Sequence, residues 1–130
     1  MTIRIDDNII GVWFVQLGDT EDYMMGMSRV PTGIEFTYRV RHYHPESKDA
    51  FDDKDGKSWA TFGTNDPDEA KAISAAREMA KGLVGLSIGL GKMKPPGKVY
   101  ELLRGEASVE EFAKRLMAAP FAHSQMHQLQ

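Results

Sequence analysis

Alternating apolar and polar positions in the first half of the chain predict a set of β-strands. The clearest alternation runs over residues 34–44, where Ile34 and every second position after it would face a core. The intervening positions, which include Arg39 and Arg41, would face water. Residues 8–17 are instead apolar on both faces, which is typical of a central strand covered on both sides. Two further runs, 23–30 and 59–62, bring the predicted strands to four.

The connection between the second and third strands is predicted to be a tight turn. Pro31 and Thr32 are followed by Gly33, which can adopt a positive φ without steric cost. A polar insertion rich in aspartate then separates the third strand from the fourth. Both features fit strands that run antiparallel to their neighbours.

The spacing of apolar residues after Asp66 predicts a long helix that extends to about Leu90. Asp66 would cap this helix, Pro67 suits its first turn, and Glu69 would complete a capping box. The apolar stripe is rich in alanine, which predicts close packing against the sheet: Ala70, Ile73, Ala76, Met79, Ala80, Leu83 and Val84. Two adjacent prolines then end the helical pattern.

Two shorter helices are predicted in the C-terminal part of the chain, over residues 98–104 and 109–118. Gly105 suits the end of the first, and Ser108 with Glu111 would form a capping box for the second. The fold class that follows is α+β: an antiparallel β-meander of about four strands, a long helix packed on one face, and two shorter C-terminal helices.

Length and composition predict one domain over residues 1–130, with the sheet over about 8–63, the helices over about 66–119 and a loose tail over about 120–130. The 42% hydrophobic and 27% charged residues are those of a soluble globular protein. The chain has no cysteine, no apolar run of signal-peptide length at its start and no run of ~20 apolar residues. We therefore expect a cytoplasmic protein that does not enter a membrane.

The best candidate for a binding surface is the polar side of the third strand. Arg39, Arg41 and Tyr43 recur there at every second position, and Arg29 would lie on a neighbouring strand. Cationic and aromatic side chains in such a row can bind phosphates, stack on bases or form a protein interface. Lys92 and Lys94 follow the long helix, in a segment with a basic excess, and could add to a phosphate-binding surface.

Metal and nucleotide sites are weaker candidates. His42, His44, His123 and His127 could supply four imidazoles for zinc, but nothing in the sequence brings the two pairs together. The aspartates of the polar insertion do not have the spacing of a calcium-binding loop. We therefore predict no metal ligands and no cofactor.

The glycine-rich stretch from Gly82 to Gly97 does not match the spacing of a phosphate-binding loop. Gly85 and Gly89 are more typical of a helix that packs closely on another element. If Leu83, Leu86 and Leu90 were exposed, this segment could instead form a homo-oligomer or partner interface.

These patterns favour a small, non-catalytic interaction protein that binds another macromolecule, most simply a protein, as an adaptor or inhibitor does. Three methionines on the second strand would add an adaptable contact surface: Met24, Met25 and Met27. One alternative is binding of nucleic acid or a phosphate ligand through the arginine row and the lysines of residues 92–98. The other is a small enzyme with a histidine-based site, although no catalytic residues can be named from sequence motifs.

Overall fold

The computed structural model describes residues 5–16, 21–42, 60–91 and 97–118. These residues form five strands and two helices: β1 (Ile9–Gln16), β2 (Glu21–Val30), β3 (Gly33–His42), β4 (Ala60–Thr64), α1 (Glu69–Gly89), β5 (Val99–Leu103) and α2 (Val109–Met117). All strands are antiparallel to their neighbours, in the order β4-β3-β2-β1-β5. The α+β class and the antiparallel meander of the first four strands are confirmed.

The prediction of a helix over residues 98–104 is wrong, since this segment forms strand β5. Val99 and Tyr100 favour extended backbone, and β5 pairs with β1 from Gly11 opposite Leu103 to Val15 opposite Val99. Without β5, the apolar strand β1 would form an edge of the sheet. The described residues therefore contain two helices where the sequence predicts three.

Strand β1 is covered on both faces, as its composition predicts, and seven of its eight residues are buried. On one face, Trp13 lies in a core cluster with residues of β2, β3 and α1. On the other face, Val12 and Phe14 lie in a second cluster with Phe112 of α2. Helix α2 therefore covers the sheet face opposite the one that α1 covers.

Helix α1 packs on the sheet through small residues. Ala72, Ala76 and Ala80 are buried, which confirms Ala76 and Ala80 of the predicted stripe, whereas Ala70 is exposed. The predicted cap is displaced by two residues: the Asp68 side chain, not that of Asp66, accepts hydrogen bonds from the first free backbone N–H groups. Asp66 instead accepts from the backbone N–H of Asp68.

Two local predictions are confirmed at the ends of other elements. The turn between β2 and β3 brings Val30 opposite Gly33, and Gly33 has a φ of 142°. Ser108 caps α2 by accepting a hydrogen bond from the Glu111 backbone N–H at 3.1 Å. The polar insertion before Ala60 and the predicted tail from residue 120 lie outside the described residues.

Candidate interaction surface

Arg39 lies on the face of β3 that the alternation predicts, opposite to the Phe36 side, but its side chain is buried. It lies opposite Met24, on the sheet face that also carries Phe14, and it is only 2% exposed. The expectation of an exposed row of arginines is therefore wrong at Arg39. Asp22, which is also buried, lies opposite Arg41 and hence diagonally across from Arg39 on the same face.

Both buried charges make interactions within the protein. This is what burial requires, since an ionised group removed from water without compensation is strongly destabilising. Asp22 and Arg39 therefore belong to the interior of the fold. The role of Arg39 in binding stays a prediction. The burial of its side chain does not favour this role.

Arg29 lies at the end of β2 and connects the sheet to the start of α1. Its guanidinium forms an ion pair with Glu69, the first residue of α1, and donates a hydrogen bond to the Asp7 carbonyl at 3.4 Å. About half of each side chain in the ion pair is exposed. Arg29 is thus accessible, but its charge is already compensated by a neighbour.

The other predicted binding residues lie outside the part of the structure in which side chains are described. Arg41 is paired through its backbone with Asp22, and nothing further is described for it. Tyr43, Lys92 and Lys94 fall entirely outside the described residues. Their role in binding stays a prediction, as does any contribution of the four histidines.

The three methionines of β2 do not form a contact surface. Met24, Met25 and Met27 are all buried, and they contribute to the two core clusters on opposite faces of the sheet. The prediction of an exposed methionine-bearing surface is therefore wrong. Flexible thioethers here fill irregular space in the core, which is their commoner use.

Glu101 of β5 accepts three hydrogen bonds through its carboxylate, and the sequence patterns do not reveal this role. Arg77 of α1 donates from Nε to Oε1 and from Nη2 to Oε2, both at 2.8 Å. The Trp13 indole N–H donates to the same Oε1 at 2.7 Å. One carboxylate therefore joins β1, the edge strand β5 and the long helix α1.

These contacts change the acid–base behaviour of Glu101. The hydrogen bonds from Arg77 are the main cause that lowers the pKa of its carboxyl group, with a smaller contribution from Trp13, against the opposing effect of partial burial. A Glu pKa that is lower in the folded state than in the unfolded state stabilises the fold at neutral pH. This contribution is lost as the pH falls below the ordinary Glu value of 4.5 and through the lowered one.

We expect Glu101→Gln to reduce the stability of the protein at neutral pH by about 1 kcal/mol, a modest value because water screens this partly exposed pair. The variant keeps an acceptor for Trp13 but removes the titrating charge. Melting temperatures measured from about pH 7 to about pH 3 should therefore fall less steeply in the variant than in the wild type. Equal slopes would show that Glu101 is not a group that couples folding to pH.

The described residues contain no group of three or more side chains that could hold a metal ion. The described helices likewise include none that is long and apolar enough to cross a membrane.

Two large apolar side chains are exposed at the C-terminal end of α1, one in the helix and one at its C-cap. Leu86 and Leu90 are 54% and 63% exposed. Three exposed glycines accompany them, and a Cβ atom added at any of the three would meet no described residue within 4 Å: Gly82, Gly85 and Gly89. We refer to these five residues as the glycine–leucine surface.

The prediction that Gly85 and Gly89 let α1 pack closely on another element gains no support from the described residues, since none lies within 4 Å of a Cβ atom added at either glycine. The helix contacts the sheet through its opposite side, where Ala76, Ala80 and Ser87 are buried. The conditional prediction of a partner surface required Leu83, Leu86 and Leu90 to be exposed, and this condition is met only by Leu86 and Leu90. Leu83 is instead half-buried against the core.

Comparison of the chain with protein-family models, with curated proteins and with solved structures gives no match.

Proposed function

We propose that this protein is a small, non-catalytic interaction protein of the cytoplasm that binds another protein stoichiometrically, as an adaptor or inhibitor does. The observation that supports this function is the glycine–leucine surface of α1. The proposal keeps the class of function that the sequence favours but moves the contact surface from β3 to α1. The partner class is a protein that offers a helix or loop with large apolar side chains.

The glycines support a close contact with a partner. A glycine within a helix is less favourable than alanine by about 1 kcal/mol, and α1 contains three on one side. No neighbouring group of the described chain needs the space that their missing side chains leave. Small residues on a helix surface allow the backbone of a second helix to approach closely. A partner helix packed here could bring its backbone close to that of α1, which larger side chains at the glycine positions would prevent.

The leucines support an apolar partner. Leu86 and Leu90 are four positions apart, so their side chains are neighbours on the helix surface. Full burial of a leucine side chain stabilises an assembly by roughly 1.5–3 kcal/mol. Two such side chains beside the glycines form a patch suited to a protein contact rather than to a phosphate or a base.

The arrangement does not favour the two alternatives. Nucleic-acid binding depends on an exposed row of cations, and Arg39, the central member of the predicted row, is buried. Arg29 has its charge compensated by Glu69. No observation on the described residues adds support to a histidine-based enzyme, since the side chains of all four histidines lie outside them.

The proposal can be tested by affinity capture from a lysate of the source cell with three baits: the wild type, Leu86→Glu combined with Leu90→Glu, and Met117→Glu. Met117 is a matched control because it is another strongly exposed apolar residue, on α2 rather than α1. We expect one or more proteins to be retained by the wild type and Met117→Glu and lost from the double variant. Each lysate is divided, and one half is treated with nuclease.

All three baits should melt alike, because both leucines are more than half exposed. Equal recovery of every captured protein on the three baits would contradict the assignment of the surface. Recovery that depends on intact nucleic acid would favour the alternative function instead.

A further inference from the structure

Strand β4 ends the sheet on the side away from β5. It is the outermost strand in the sheet order, and it pairs on its inner side with β3, from Ile34 opposite Thr64 to Tyr38 opposite Ala60. The residues from Thr61 to Thr64 are all exposed. No strand of the described sheet pairs with the outer edge of β4, so the backbone N–H and C=O groups on that side have no partner strand among the described residues.

In the part of the chain that the structure describes, this edge carries none of three common protections of an exposed strand. Edge strands are commonly blocked by charged side chains, by proline or by a bulge. The sequence of β4 is ATFGT, which contains no charge and no proline, and its pairing with β3 is regular. The edge strand at the other end of the sheet, β5, does carry an inward-facing charge, Glu101. The two edges of the sheet are thus chemically different.

Phe62 extends an aromatic row to this edge. Its ring stacks on those of Phe36 and Tyr38, at centroid distances of 5.3 and 5.5 Å. Phe36 and Tyr38 are buried, but Phe62 is 42% exposed because no further strand lies beside it in the described sheet. An additional strand with an aromatic residue at this position would continue the row.

We propose that a second copy of this protein pairs with β4 in an antiparallel manner, about a twofold axis at Phe62. The two five-stranded sheets then form one continuous sheet of ten strands. Phe62 lies opposite Phe62 of the second copy, and Thr61 lies opposite its Gly63. Every pair in this register is uncharged, so the like-charge repulsion that usually prevents self-pairing does not arise.

A second copy fits this edge better than an unrelated extended peptide. A twofold axis places the same aromatic residue on both sides of the junction, so the row Phe36–Phe62 continues as Phe62–Phe36 of the second copy. Such a contact is isologous and closed, which yields a dimer rather than a fibre. The dimer goes beyond the proposed function and uses a different surface, so either proposal can fail without the other.

The first experiment measures the molar mass by sedimentation equilibrium over a concentration series, for the wild type and three lysine variants. We expect a wild-type dimer whose dissociation constant rises at least ~10-fold in Thr61→Lys. Thr61 lies on the sheet face opposite Phe62 and outside the aromatic stack, so this variant should fold normally. Val99→Lys on β5 and Leu86→Lys on α1 are controls, and each should leave the dissociation constant unchanged.

A second experiment uses the absence of cysteine from the chain. Directly opposite residues in an antiparallel pair have Cα atoms about 4.5–5.5 Å apart, within the range of a disulfide. Phe62→Cys should therefore form a covalent dimer under mild oxidation, whereas Val99→Cys, at a position of similar exposure, should remain monomeric.

A monomeric wild type throughout the concentration series would overturn the proposal. So would a dimer that Thr61→Lys leaves unchanged, or equal cross-linking at residues 62 and 99. Loss of the dimer in Leu86→Lys with retention in Thr61→Lys would place self-association on α1 instead, and would likewise overturn it.

Discussion

Gly33→Ala is expected to destabilise the protein by roughly 2–5 kcal/mol, since it combines an unfavourable backbone conformation with a steric clash. Gly33 has a φ of 142°, which side-chain-bearing residues rarely adopt. A Cβ atom at this position would lie 2.0 Å from the Thr64 carbonyl oxygen of β4. That oxygen belongs to the backbone of a paired strand, so it cannot move aside without disturbing the sheet.

Gly82→Ala provides the matched control for Gly33→Ala. It makes the same chemical change in a helix where the added methyl group meets no described residue within 4 Å, so we expect it to stabilise the fold by about 0.5–1 kcal/mol. Urea unfolding followed by circular dichroism measures both effects. Similar changes of the same sign in the two variants would show that the turn between β2 and β3 does not approach β4 as described.

Phe112→Ala is expected to destabilise the protein by about 3–5 kcal/mol, the usual cost of removing a fully buried aromatic side chain. Phe112 is 0% exposed and is the buried residue of α2. It belongs to the same cluster as Val12, Phe14 and Leu102, on the sheet face that α1 does not cover. Loss of the ring would leave a cavity between α2 and β1.

Met117→Ala is the control for Phe112→Ala, since Met117 is 67% exposed on the same helix. Its effect on stability should lie within about 0.5 kcal/mol of zero. Thermal and denaturant unfolding of both variants measure the difference. If Phe112→Ala melts like the wild type, α2 does not pack on the second face of the sheet.

The parts of the fold that the sequence predicts well are those with a long or strongly marked pattern. Helix α1 spans 21 residues, enough for its apolar period to be unambiguous, and β3 alternates over its whole length. Strand β5 has only five residues, for which a strand and one helical turn give similar patterns. What makes it a strand is its pairing with β1, a contact between distant parts of the chain that local spacing does not reveal.

The candidate site was less predictable because it, too, depends on contacts between distant parts of the chain. Alternation on β3 correctly separates Arg39 from the Phe36 side of the strand, but it does not say whether the second face of the sheet is covered. That second face is covered by α2, whose Phe112 lies in one buried cluster with Phe14 and Met24, the neighbours of Arg39. The role of a glycine is equally hidden: a turn residue such as Gly33 and an exposed helical residue such as Gly85 look alike in sequence.

The position of β1 between β2 and β5 has a consequence for the order in which a growing chain can fold. Trp13 of β1 pairs with Glu101 of β5, a residue that lies 88 positions later. A ribosome needs roughly 4–18 s to synthesise a segment of this length. During that interval β1 can pair with β2, but its other edge remains open, with most of its residues apolar. Nascent chains are therefore most prone to aggregate before β5 emerges, and the addition of this short strand ends that vulnerable period.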